Sequence, residues 1–146
     1  ADFLYVRLTY HTSLTFPTYL SVDTDENVGT GFDIFSLGLV GSEAAWLNDF
    51  PFDQRGGFNS GSLNMPATMS PFADTGQREL AIPRATLYSV DSAPVFPDNN
   101  FNLLAWTDAG AADVGLAIPY TFAVPEPASM ALLGLGALIG IRPRRR

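Results

Sequence analysis

At 146 residues, 47% hydrophobic and 16% charged, the chain has enough apolar material for one core and too little charge for wholesale disorder. Its formal net charge of −7 divides unevenly: residues 1–124 hold four arginines against fourteen acidic residues, a net of −10, while residues 125–146 hold four arginines against Glu126, a net of +3. So acidic a body excludes nucleic acid and anionic lipid as partners, and the lack of cysteine excludes disulfides, thiolate nucleophiles and sulfur metal sites.

The chain starts at Ala1 directly in a strand-like run. That start is expected where a secretory leader ending in a small residue has been removed, or in a piece of a longer protein. FLYVRLTY (3–10) alternates, with Leu4, Val6, Leu8 and Tyr10 on one side, and reads as a half-buried strand. SLTFPTYLSV (13–22) is rich in β-branched and aromatic residues, but Pro17 cannot donate to a ladder, which predicts an edge strand or a bend there. DTDENVGTG (23–31) has the polar, glycine-bearing composition of a turn, and FDIFSLGLV (32–40) reads as a third strand. EAAWLNDF (43–50) is the one helix-leaning stretch, about two turns long, with Ser42 as its N-cap and Pro51 as its stop.

From 51 to 76 the chain is crowded with Gly, Pro, Asn and Ser, as expected of a long surface loop or of short strands hidden by their brevity. ELAIP (79–83), ATLYSV (85–90) and FNLLAW (101–106) read as further strands. In VGLAIPYTFAV (114–124), residues Val114, Leu116, Ile118, Tyr120, Phe122 and Val124 alternate onto one face. Six or seven short strands without an internal repeat predict an all-β fold: an antiparallel β-sandwich or jelly-roll-like domain over residues 1–124, followed by a short C-terminal hydrophobic helix within residues 125–146.

No catalytic constellation is visible. His11 is the sole histidine, there is no lysine for a phosphate loop, and neither Ser60 nor Ser62 lies in a nucleophile elbow. Asp74-Thr75-Gly76 matches an aspartic-protease triplet, but that chemistry needs two such carboxylates sharing a proton, and a β-turn accounts for the same letters. Asp23, Asp25 and Asn27 stand at alternate positions, the spacing by which a turning loop aims oxygens at a hard cation such as Ca2+. Gly29 falls one place too late for the calcium-loop turn and Ile34 replaces its bidentate Glu, so a plain acidic turn competes with the metal reading, and no other cofactor is expected. Among Trp46, Trp106, Tyr5, Tyr10, Tyr19, Tyr88 and Tyr120, most are expected in the core, and any left exposed would suit stacking on sugar rings.

The C-terminal VPEPASMALLGLGALIGIRPRRR (124–146) is of another kind. Pro125 and Pro127 fix their own φ and push the preceding residues away from helix, which predicts an extended peptide presenting the Glu126 carboxylate. Ala128, Leu132, Leu133, Leu135, Leu138, Ile139 and Ile141 belong to a fourteen-residue apolar run. As a helix that run is only about 21 Å long against a hydrocarbon core of about 30 Å. Arg142, Arg144, Arg145 and Arg146 follow, a cluster that holds its end in the cytoplasm and leaves the acidic body outside. Gly136 and Gly140 form a GxxxG pair that so glycine-rich a run makes incidental.

Box, short hydrophobic run and terminal arginines, in that order, resemble the PEP-CTERM sorting signal of Gram-negative bacteria; only Pro143 inside the basic cluster departs from it. The resemblance implies recognition of Pro125, Glu126 and Pro127 by exosortase, a membrane-embedded cysteine transpeptidase. It also implies a temporary anchor in the inner membrane with the arginines as cytoplasmic stop, then delivery to the cell surface or exopolysaccharide matrix. The bodies attached to such signals are diverse. The expectation for residues 1–124 is therefore a non-enzymatic structural, adhesive or matrix-organising domain; the alternatives are a carbohydrate-binding module acting on the matrix polysaccharide and a secreted Asp/Glu hydrolase.

Overall fold

The computed structural model describes residues 2–9, 17–70 and 76–123. His11, Tyr10, Asp74, Thr75 and the whole of 124–146, including the expected C-terminal helix, lie outside the described residues. Eleven strands occur among the rest: β1 Phe3–Thr9, β2 Thr18–Asp23, β3 Phe32–Asp33, β4 Gly41–Ser42, β5 Ala44–Leu47, β6 Phe50–Asp53, β7 Gly61–Ser62, β8 Thr68–Ser70, β9 Gln77–Pro83, β10 Asn100–Thr107 and β11 Ile118–Thr121. They form a six-stranded sheet in the order β11-β10-β2-β5-β6-β7, a three-stranded sheet β1-β9-β8 and the small pair β3-β4, with antiparallel pairing throughout. The antiparallel all-β class expected from the sequence is the one observed.

Alternation along β1 and β9 sends Leu4, Leu80 and Ile82 inward, against Leu20, Val22, Ala44, Trp46, Phe101 and Leu103 of the six-stranded sheet. The two sheets thus close as a sandwich, and each such fully buried aliphatic or aromatic side chain contributes about 1.5–3 kcal/mol. The opposite face of the six-stranded sheet is covered as well. There Tyr19, Ala45, Leu104 and Trp106 pack beneath Ile34 and Val40 of the 32–40 loop, with the Tyr19 and Trp106 rings stacked at 4.3 Å. A sheet buried on both faces has no polar side to alternate with, and all six residues of β2 are buried.

That double burial explains the largest correction. The helix expected over 43–50 is instead β5, a tight turn and β6, because Ala44, Ala45 and Trp46 are buried on both faces of the sheet. Ser42 caps nothing: its hydroxyl donates to Gln54 Oε1 at 2.6 Å, and Pro51 lies within β6. Other boundaries shift too. β2 begins after Pro17 and is central in its sheet, so the proline marks an entry and not an edge. The strand expected over 32–40 stops after Asp33, since Phe35 and Ser36 take left-handed backbone, φ 51° and 56°.

The stretch from 51 to 76 contains the three short strands β6, β7 and β8, and ATLYSV (85–90) is a turn making only isolated bridges, Leu63 to Tyr88 and Leu87 to Pro94. The single face expected over 114–124 does not form: Leu116 is 82% exposed, whereas Phe122 is 2% exposed.

Candidate functional site

Among the described residues, one group of carboxylates converges: Asp23, Asp25 and Glu43 each bring an oxygen within 4.8 Å of the others. Asp23 closes β2 and is wholly buried, Asp25 is exposed on the following turn, and Glu43 joins β4 to β5. Antiparallel pairing of Val22 with Ala44 sets Glu43 beside the turn, and its N–H donates to Val22 O at 3.0 Å. Two glycines permit the approach. A Cβ on Gly41 would lie 2.1 Å from Thr30 O, and one on Gly31, held at φ +65°, would lie 2.3 Å from Ser42 O.

Glu43 Oε2 accepts the Thr24 N–H at 2.8 Å, and Glu43 Oε1 lies 3.0 Å from Thr30 Oγ1. The same hydroxyl lies 2.9 and 3.0 Å from the two oxygens of Asp25 and 2.8 Å from Asn27 O. One hydroxyl proton is shared among four acceptors there, of which the exposed Asp25 also accepts the Asn27 N–H. Burial, added to by the charges of Asp25 and Asp23, pushes the Glu43 carboxyl up to about 7 against the opposing hydrogen bonds of Thr24 and Thr30, so Glu43 holds its proton below that pH.

The sequence set of Asp23, Asp25 and Asn27 is therefore brought together only in part. Asn27 Oδ1 is spent on the Gly29 N–H at 3.0 Å, and Glu43 takes its place. Linear spacing hides Glu43, which only strand register places there. The three carboxylates are donors of the kind a hard cation such as Ca2+ takes, once Glu43 gives up its proton.

The aromatic residues divide clearly. Trp46, Trp106, Tyr19 and Tyr88 are buried, and Arg55 lies over the Tyr88 ring at 3.5 Å while pairing with Asp53 and Asp91. Tyr120 is 41% and Tyr5 74% exposed. Tyr5 stands on the outer face of the three-stranded sheet beside Arg7, whose partner across the ladder is Glu79. With Thr68 and Ala81 they line a groove of about 380 Å3, an apolar floor flanked by an ion pair.

The pattern at large is an exported, all-β domain followed by a terminal address. Residues 123–146 match the PEP-CTERM protein-sorting motif, which contains Pro125, Glu126, Pro127 and the arginine cluster and marks the chain for export and sorting through exosortase. No curated protein and no solved structure matches the chain. Among the described residues no helix is long and apolar enough to cross a membrane.

Proposed function

We propose that residues 1–124 are a non-enzymatic domain that works at the cell surface or in the extracellular polysaccharide matrix after the sorting signal has delivered it. The observation that carries this reading is the match to the sorting motif at residues 123–146. The inner membrane and exosortase are its transient partners, through Ala128 to Ile141 and through Pro125-Glu126-Pro127 respectively. A structural role is also supported by the carboxylates. Asp23 and Glu43 are buried, and hydrogen bonds from Asn27, Thr24 and Thr30 engage their oxygens within the turn.

The test is to fuse residues 115–146 to a secreted reporter in a host that has the sorting enzyme, with and without Glu126→Ala. Processing and surface delivery are expected only with Glu126 intact. Equal delivery of both forms would overturn the reading.

A second reading, polysaccharide binding, is favoured by the Tyr5 groove. An exposed ring offers a flat apolar face to a pyranose, and Arg7 and Glu79 offer donors and acceptors to its hydroxyl edge. Its test is a glycan array: binding that disappears with Tyr5→Ala supports it, and no binding to any polysaccharide removes it.

A further inference from the structure

Four strands end the two larger sheets, and three of them are poor templates for a further strand. β7 has two residues, β8 three, and β11 four with Pro119 among them. β1 differs. Its seven residues contain neither proline nor glycine and pair with β9 in unbroken register, from Phe3 with Pro83 to Thr9 with Gln77, so no bulge bends this edge away. Among the described residues nothing pairs with the other side of β1.

The ladder fixes which groups that side presents. The Arg84 N–H donates to Asp2 O at 3.0 Å, one step beyond the Phe3–Pro83 pair, so Asp2 turns its carbonyl toward β9. Alternation then turns the peptide groups of Leu4, Val6 and Leu8 the same way, and those of Phe3, Tyr5, Arg7 and Thr9 outward from the sheet's edge. The side chains alternate between the faces. Leu4, Val6 and Leu8 pack toward the sandwich core, with Leu4 buried but Val6 and Leu8 only half-buried. Phe3, Tyr5 and Arg7 are exposed on the other face, the two rings 6.0 Å apart and Arg7 Nε 2.8 Å from Glu79 Oε1.

This edge is complementary to itself. Outward peptide groups pair only with outward ones, which restricts an antiparallel second β1 to registers that set odd-numbered residues against odd-numbered ones. With the two-fold axis at Val6, the whole of Phe3–Thr9 is matched: Phe3 faces Thr9, Leu4 faces Leu8, Tyr5 faces Arg7, and Val6 faces its own copy. On the core side, aliphatic residues then meet aliphatic residues across the join. On the outer side, each Arg7, held by its own Glu79, meets the Tyr5 ring of the other copy, a cation–π arrangement. The next allowed slide in either direction shortens the overlap, and one of them sets Arg7 against Arg7.

We propose that the free edge of β1 is a self-recognition surface: two copies pair antiparallel through Phe3–Thr9 about a two-fold axis at Val6, joining their three-stranded sheets into one continuous sheet. Pairing of this kind needs neither the sorting signal nor a polysaccharide, and it brings the two Tyr5 grooves side by side on one surface. A single strand edge is a small interface, so the dimer is weak and concentration-dependent.

The natural chain has no cysteine, so one introduced thiol reports the register. The full chain is purified in mild detergent as Val6→Cys and, separately, as Leu8→Cys. Facing residues of a non-hydrogen-bonded pair have Cα atoms about 4.5 Å apart, within a disulfide's span, whereas the two copies of residue 8 would lie about 14 Å apart. On mild oxidation Val6→Cys is expected to form covalent dimer about tenfold faster than Leu8→Cys. Both variants carry the same residues 125–146, so association through that apolar run does not produce the difference. In a second measurement, tagged Val6→Lys is expected to retain about tenfold more untagged Val6→Glu than untagged Val6→Lys, because residue 6 faces its own copy. Equal cross-linking of the two cysteine variants overturns the pairing, as does no cross-linking of either at the highest soluble concentration, the result expected if another segment or another protein occupies the edge. Faster cross-linking of Leu8→Cys overturns the register, and so does equal retention of the two untagged chains. The cysteine result stands even where the charged variants fail to fold.

Discussion

Thr30 Oγ1 lies 3.0 Å from Glu43 Oε1 and 2.9 Å from Asp25 Oδ1, so a single hydroxyl stands between a buried carboxyl and an exposed carboxylate. Two ionised partners would leave that hydroxyl with one proton for both, and the buried one is the costlier to ionise. Burial drives the Glu43 carboxyl upward, and the hydrogen bonds from the Thr24 N–H and the Thr30 hydroxyl only partly oppose it. A proton on Glu43 lets it donate to Thr30, and Thr30 then donates to Asp25 or to Asn27 O.

Stability should therefore fall with rising pH. Burial raises the Glu43 carboxyl from 4.5 to about 7, so the folded protein keeps a proton that the unfolded chain gives up. The contribution is fully present below pH 4.5 and is lost as pH passes 7, to a total of about 3 kcal/mol. Glu43→Gln preserves the acceptor for Thr24 and a donor for Thr30 without an ionisable group. Denaturation at pH 4 and pH 8 is expected to show equal midpoints at the lower pH and a more stable variant at the higher. Millimolar Ca2+ is expected to leave the natural chain unchanged at pH 5, where Glu43 holds its proton. A variant gain that is the same at both pH values would break the argument.

Gly41 admits no side chain. Its Cβ would meet Thr30 O at 2.1 Å and Asn27 O at 2.4 Å, both backbone atoms that cannot swing aside. Gly41→Ala is expected to cost about 3 kcal/mol by overpacking, measured by urea denaturation at pH 7. The variant should also lose much of the pH dependence, because the 23–31 turn must withdraw from Glu43. Keeping that dependence while losing stability would separate the two effects and refute the link.

The alternating segments were legible because one face meets water. Leu4, Leu80 and Ile82 on β1 and β9 occupy the faces that their period of two assigns. β5 was not, for two physical reasons. Glu-Ala-Ala-Trp-Leu is made of ordinary helix formers, and burial on both sides of a sheet erases the alternation that would have outvoted them. Phe35 and Ser36 failed in the opposite sense: good strand residues, bent into left-handed backbone by a loop that must fold back over Trp106, as the 5.5 Å edge contact of Phe35 shows. Of the acidic cluster, Asp23 and Asp25 were readable from local spacing, but Glu43 depended on a pairing that no local pattern reports. The sorting signal was readable in full because its three parts are contiguous and need no fold to bring them together.

The two tryptophans should respond oppositely to loss of polarity. Trp106 Nε1 donates to Ser21 Oγ at 2.9 Å, and both residues are buried. Trp46 Nε1, equally buried, has no acceptor. Ser21→Ala orphans a donor and is expected to cost about 1–3 kcal/mol, whereas Trp46→Phe removes an orphan already present. That gain offsets part of the lost volume, leaving a net change within about 1 kcal/mol. Thermal unfolding of both variants checks the order, and a larger loss for Trp46→Phe than for Ser21→Ala would reverse it.

Tyr5 gives the clearest separation of binding from stability. At 74% exposure its ring supports little of the core, and the Arg7 to Glu79 pair beside it is solvent-facing, worth at most about 1 kcal/mol. Tyr5→Ala and Arg7→Ala are expected to keep the melting temperature within a few degrees of the natural chain. If the groove takes a sugar, Tyr5→Ala should weaken polysaccharide retention in affinity electrophoresis about tenfold or more, since stacking on one ring is worth about 1–3 kcal/mol where it has been measured for flat ligands. Arg7→Ala should weaken it less, because an exposed charge still leaves Glu79 able to accept from a hydroxyl. Retention that survives Tyr5→Ala while failing with substitutions on the opposite sheet would move the binding face there and end the case for this groove.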